Sequence, residues 1–175
     1  MAAEGPLRLA TAADADGIVA LLQEMAEEGT LALDPGALDP ASEARHLAAL
    51  DLRREAALVA EVGGAVAGVA LGVRAPAPAT AHVGLVAVAV RAAARRRGLG
   101  RLLLGGVEAW ARSAGLRKLA AEVLATNEPA LYLFARAGYV VEGRRTAHVA
   151  VGDRLVDEVL LGRLLAPTGT GRSHA

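Results

Sequence analysis

Arg95-Arg96-Arg97-Gly98-Leu99-Gly100-Arg101 stands between an apolar run that ends at Val90 and a leucine-rich stretch that starts at Leu102. Guanidinium groups bind phosphate through directed, charge-assisted hydrogen bonds, and glycine lets a backbone come close to a ligand that a Cβ would hold away. Where such a corner opens a helix, unpaired N–H groups and the positive end of the peptide dipoles also attract anions. The residues therefore suit a pyrophosphate, with Gly98 and Gly100 giving close approach and the arginines neutralising charge. The competing reading is a solvated basic turn, because every basic residue of the chain except Lys118 is arginine.

Two phosphate-binding patterns do not fit. A P-loop needs Lys and Ser or Thr after its last glycine, and the corner has neither. A dinucleotide fingerprint needs G-x-G-x-x-G, usually at the start of its unit, with an acid at the tip of the next strand. Glu122 lies at about that distance, but Leu103 occupies the third glycine position and four predicted strands precede the corner.

The elements that must position the corner are legible from pattern. Arg8 to Ala10 reads as a first strand, and Thr11-Ala-Ala-Asp14 as a capping box in which the Thr oxygen accepts helix N–H groups. Ile18, Leu21, Leu22 and Met25 give one apolar helix face, ended by Gly29. After the loop TLALDPGALDP, Asp39-Pro40 predicts the N-cap and first turn of a second helix running to about Arg54. Leu58–Val62 and Ala65–Val73 around Gly63-Gly64 predict a hairpin. The proline loop RAPAPAT follows, then a strand over 82–90 that is apolar on both faces, as expected of a mid-sheet strand covered by helices.

Beyond the corner, Leu99, Leu102, Leu103, Gly106, Val107 and Trp110 recur at helical spacing up to Gly115. Leu119–Leu124 is a strand, Thr126 to Gly138 contains a helix, and two strands flank Gly152-Asp153. One domain over residues 6–165 is expected, with 166–175 as a disordered tail.

Composition narrows the chemistry. The 175 residues hold no cysteine, and His46, His82, His148 and His174 lack ligand spacing, so no metal is expected. Nineteen basic residues balance nineteen acidic ones, which argues against nucleic-acid partners. Residues 1–10 do not read as a signal peptide and no apolar run approaches the roughly 20 residues of a span. A cytoplasmic protein without a membrane partner is expected.

Arg95-x-x-Gly98-x-Gly100 after a strand resembles the [QR]-x-x-G-x-[GA] acetyl-CoA motif of the GCN5-related N-acetyltransferase (GNAT) superfamily. The second block, NEPALYLFARAGYVVEG from Asn127 to Gly143, resembles that family's N-x-x-A-x-x-L-[YF]-x-x-x-G-[FY] segment, with Asn127, Ala130, Leu133, Phe134, Gly138 and Tyr139 in register. The terminal GDRLVDEVLLGRLL is similar to the ends of the small-amine, amino-acid and ribosomal-protein acetyltransferase branches. The fold implied is α/β (α+β), the acyl-CoA N-acyltransferase (GNAT) fold, with a mixed, mostly antiparallel seven-stranded sheet and about four helices.

The resemblance implies acetyl-CoA as cosubstrate, and a small-molecule or peptide amine as acceptor. It places the pyrophosphate on the amides of Arg96, Arg97, Gly98, Leu99, Gly100 and Arg101, near Arg95. It pairs the pantetheine arm with Val88 and Val90, and sets an N–H near Val88 to polarise the thioester carbonyl. Asn127 would contact the arm, although it also reads as a plain helix cap, and Phe134 would pack near the sulfur. Phe134 replaces a tyrosine that often protonates the thiolate. Tyr132 lies about 200° away around the helix, so water or the acceptor's own proton is left for that task.

The implied base is Glu122, five residues before Asn127, where similar ribosomal-protein acetyltransferases carry a carboxylate; its alternative is a solvated outer face. A second carboxylate common in the family falls at Leu85, which cannot act. Glu24, Glu27 and Glu28 are further candidates for the amine, and His82 and His148 for proton relay. Family habit and an Ala-rich surface point to a homodimer. A non-catalytic acyl-CoA-binding module on the same fold is the other class the residues allow.

Overall fold

The computed structural model describes residues 7–31 and 35–165. The elements run β1 (Arg8–Leu9), α1 (Ala15–Glu27), α2 (Pro40–Ala48), β2 (Glu55–Val62), β3 (Ala65–Arg74), β4 (Val83–Val90), α3 (Leu99–Ser113), β5 (Lys118–Leu124), α4 (Glu128–Arg136), β6 (Val140–Val151) and β7 (Arg154–Leu164). One seven-stranded sheet results, in the order β1-β2-β3-β4-β5-β7-β6. Every junction is antiparallel except β4–β5. The expected sheet and helices are thus present, while the expected tail at 166–175 lies outside the described residues.

Helices cover both faces of the sheet. On one, the α3 stripe Leu103, Leu104, Val107 and Ala111 is buried against Leu58, Ala70 and Val86. Glycines let α3 come close: a Cβ on Gly72 would lie 2.6 Å from the Trp110 ring, and one on Gly68 2.7 Å from Leu103. On the other face, Ile18, Leu21 and Met25 of α1 pack with Ala57, Val59, Val69 and Ala89. Two covered faces explain why β2 to β4 read as continuous apolar runs instead of alternating ones. No helix among the described residues is long and apolar enough to cross a membrane.

The second helix is shorter than its sequence suggests. It stops at Ala48, because Asp51 organises a turn: its carbonyl accepts the N–H groups of Arg54 and Glu55, and its side chain that of Arg53 at 3.0 Å. Asp competes well for local backbone donors, which favours turns over helix interiors.

The start of α1 is fixed by charge. Thr11 donates both its N–H (2.8 Å) and its hydroxyl (3.0 Å) to Asp14, and the capping box that the sequence pattern predicted is present. Arg8 from β1 pairs with Asp14 at 2.7 and 2.8 Å and also with Glu61 of β2. These bonds hold the Asp14 carboxyl, only 7% exposed, down to about 2 from its usual 3.8. A depressed carboxyl stabilises the fold above its unfolded value, and that stability disappears as pH falls from 3.8 towards 2. Asp14→Asn is expected to lower stability by about 1–2 kcal/mol at pH 7, discounted because Arg8 is itself 37% exposed. Urea midpoints at pH 7, 5 and 3 check this: the gap between wild type and variant should be constant at the first two and shrink at the third.

Candidate active site

The parallel junction is incomplete. β4 and β5 pair only at Val83–Lys118, Gly84–Leu119 and Leu85–Ala120, and diverge beyond. Backbone groups alternate along a strand, and the His82 carbonyl accepts from Arg117 N–H at 2.8 Å on the β5 side. Even-numbered residues of β4 therefore turn towards β5, so Val86, Val88 and Val90 direct N–H and C=O into the gap. From β5 the facing residues are Glu122 and Leu124. The last carbonyl on each wall is taken locally: Val90 O by Arg95 Nε at 2.9 Å, Leu124 O by Asn127 N–H at 2.9 Å. What remains open is a strand edge at Val86 and Val88, the geometry that accepts an extended ligand as an added strand.

The gap runs towards the arginine corner. Arg96 (φ 61°) and Gly98 (φ 83°) are both left-handed, and α3 begins directly after them with Leu102 N–H bonded to Gly98 O. The first-turn N–H groups of Leu99, Gly100 and Arg101 have no helical acceptor. Leu99 has its side chain in the core at 3% exposure, so only its backbone can meet a ligand. A Cβ on Gly98 would touch nothing within 4 Å; on Gly100 it would meet Leu133 of α4 at 3.1 Å. Gly98 thus serves the positive φ, and Gly100 the approach of α4 to α3.

The side chains of the corner divide in two. Arg95 bonds the Val90 carbonyl and the Glu28 carboxylate, so it fastens the corner instead of offering a free charge. Arg96, Arg97 and Arg101 are exposed and have no partner among the described residues. Three unpaired cations beside a helix start form an electrostatic site for an anion.

A turn at the end of α1 bridges the far ends of the two walls. Glu28 pairs with Arg95, the Thr30 carbonyl accepts from Asn127 Nδ2 at 3.0 Å, and Glu24 pairs with Arg91 at 2.9 Å. Glu24 and Glu28 are therefore engaged by arginines and not free for an amine; Glu27 is exposed. Asn127 does cap α4, its Oδ1 accepting Ala130 N–H at 3.2 Å, while its Nδ2 holds the bridging turn. Phe134 is 3% exposed and lies edge-on to Tyr139 at 5.0 Å, inside the core. Tyr132, 69% exposed, points to solvent.

Leu119, Ala121 and Val123 enter the core beneath α3, so Glu122 projects from the opposite, α1-side face. It is 48% exposed, more open than a sealed cleft would make it. Leu85, exposed at 46%, and Ala87 stand on the same face of β4. Glu122 is not alone there. Arg145 of β6 reaches it at 3.2 Å and reaches Glu158 of β7 at 2.6 Å, and His148 Nε2 lies 3.8 Å from Glu158. Sequence reasoning passed over Arg145 and Glu158. Their adjacency depends on the β6–β7 register, which a bulge between Arg145 and Val149 shifts, with Ala147 at φ 49° bonded to Asp157 at 2.7 Å. Among the described residues no group of three His, Cys, Asp or Glu side chains converges as a metal site.

The comparisons with known proteins bear on the family and the fold. No curated protein matches the chain. A GNAT-family enzyme from Kribbella flavida is 30% identical, covering 91% of this chain and 97% of its own, with a TM-score of 0.79. A ribosomal-protein-alanine N-acetyltransferase from Brucella melitensis is 27% identical, covering 91% and 99%, with a TM-score of 0.83. At 22% identity, a phosphinothricin acetyltransferase from Sinorhizobium meliloti in complex with acetyl-CoA shares the fold, covering 97% and 92% with a TM-score of 0.85. The model of the acetyltransferase (GNAT) family matches residues 19–139, which hold the gap, the corner and Glu122; the chain belongs to that family.

Proposed function

We propose that this acetyltransferase uses acetyl-CoA to acetylate a primary amine, on a small molecule, an amino acid or a peptide N-terminus, by direct transfer in a ternary complex. The observation that carries the reading is the unpaired backbone edge of Val86 and Val88 leading to a corner with three unpartnered arginines. The residues suit the two ends of that ligand. The edge matches the alternating donors and acceptors of a pantetheine arm. The N–H groups of Gly98 to Arg101, with Arg96, Arg97 and Arg101, match a pyrophosphate. The acetyl-CoA held by the Sinorhizobium enzyme supports the same assignment.

Bound acetyl-CoA supplies an activated acetyl thioester. Val88 N–H, directed into the gap, stabilises the negative charge that grows on the acyl oxygen during attack. Glu122 takes a proton from the acceptor ammonium, so that the nitrogen lone pair is free. The nitrogen–carbon bond forms, the carbon–sulfur bond breaks, and the second proton that the nitrogen loses passes to the thiolate, directly or through water, because position 134 carries no phenol. No cysteine is available to carry an acyl group, consistent with direct transfer. For Asn127 to contact the arm, its Nδ2 has a second N–H besides the one given to the Thr30 carbonyl; Arg95 contributes through its backbone and by securing the corner; Phe134 supports the wall from within. A cytoplasmic location and a homodimer belong to the same reading.

Free-thiol release from acetyl-CoA, followed with a thiol-reactive dye across a panel of small amines, amino acids and peptides, tests it. Release that depends on an amine is the expected result. CoA binding without release with any amine would instead favour a non-catalytic acyl-CoA-binding module.

A further inference from the structure

The acceptor face carries one cation between two carboxylates on three different strands, an arrangement that the reading of Glu122 as base does not by itself require. Arg145 Nη1 lies 2.6 Å from Glu158 Oε2 and 3.2 Å from Glu122 Oε1. The two acids differ in setting: the Glu158 side chain is 12% exposed, the Glu122 side chain 48%. A buried carboxylate depends on its counter-ion far more than a solvated one, so the stronger claim on Arg145 belongs to Glu158. The bulge at Ala147, pinned by Asp157, keeps this part of β6 in register with Glu158.

We propose that Arg145 is a positioning residue whose charge is divided between Glu122 and Glu158, aiming Glu122 while leaving it able to accept a proton. The inference rests on Glu122 being the base. In an isolated ion pair, protonating the carboxylate would leave the guanidinium without a partner, and the pair would resist the transfer. Here Glu158 retains Arg145 when Glu122 takes the proton from the acceptor ammonium. Glu158 thus weakens the hold of Arg145 on Glu122. Among the described residues, the charged groups facing Glu122 are Arg145 from β6 and Glu158 from β7, with His148 beyond Glu158. β4 contributes Leu85 and Ala87, which are uncharged.

Removing either neighbour should therefore move the proton uptake of Glu122, and in opposite directions. Without Arg145 the carboxylate is left, among the described residues, facing another acid, and uptake moves to higher pH. Without Glu158 the whole charge of Arg145 acts on Glu122, and uptake moves to lower pH. A guanidinium that does not reach Glu122 in solution would move neither.

The test is carbon-13 NMR of the glutamate side-chain carboxyls in uniformly labelled protein, titrated in a His148→Gln background so that no imidazole contributes. The Glu122 signal is assigned by its loss in Glu122→Gln. The midpoint should rise in Arg145→Met and fall in Glu158→Gln, each by about half a pH unit or more. Arg145→Lys, which keeps the charge, should return it most of the way. If Arg145→Met does not fold, the fall in the isosteric Glu158→Gln remains a separate prediction. Midpoints that stay put, or move the same way, overturn the inference. Thiol release by Glu122→Gln is scored apart: full turnover there overturns the base reading, whatever the midpoints do.

Discussion

Reversing the charge at Arg96, Arg97 and Arg101 together should weaken CoA binding by roughly a hundredfold or more, with little change in the stability of the free protein. Each charge-assisted hydrogen bond contributes about 1.5–3 kcal/mol, and reversal adds repulsion to the loss. None of the three side chains has a partner among the described residues, so their replacement with glutamate leaves no buried group there unpaired. Titration calorimetry with CoA gives the affinity, and a thermal melt of the free variant gives the control. Gly100→Glu would be a less direct variant, because its Cβ would crowd Leu133 at 3.1 Å, so that a change in the α3–α4 contact would accompany the added charge. Arg95→Ala should behave differently again. It removes the tie to Glu28 and Val90, so it is expected to lower the melting temperature as well as the affinity.

Glu122→Gln should reduce kcat by about 10²–10⁴-fold, the usual contribution of a positioned general base, while CoA affinity stays near wild type. The substitution keeps shape and removes only the ability to take a proton. The loss should be smaller at high pH, where more of the acceptor amine is already neutral, and that convergence separates a missing base from a damaged fold. Initial rates from pH 6 to 10 on the best acceptor provide the check. A variant with wild-type rates throughout would move the role to water.

The sequence made the corner and the element order readable because both are local. Glycine spacing, an arginine run and helical periodicity need only neighbouring residues. The departures come from contacts between distant segments. Arg95 carried the motif but is tied to Glu28, 67 positions away, a partner that spacing cannot reveal. Asn127 read either as a cap or as a ligand contact; it caps α4 and also holds Thr30 across the gap. Phe134 faces the core because the helix phase that places Leu133 against Gly100 turns the next side chain inward. Arg145 and Glu158 stayed hidden for the same reason. They meet only through a bulged hairpin, and a one-residue change of register would send them to opposite faces. The end of α2 was misjudged on local grounds, since Asp51 favours a turn that the periodicity does not register.

The central claim is that the β4–β5 gap and its arginine corner form a site for acetyl-CoA. Thermal unfolding of the wild-type protein with acetyl-CoA, CoA, NAD and ATP in parallel tests it most directly. A ligand at a hundredfold excess over its Kd stabilises the folded state by about 2.7 kcal/mol. Acetyl-CoA and CoA should each raise the melting temperature clearly, and NAD and ATP should raise it little. A shift with NAD or ATP instead, or none with either CoA species, would contradict it.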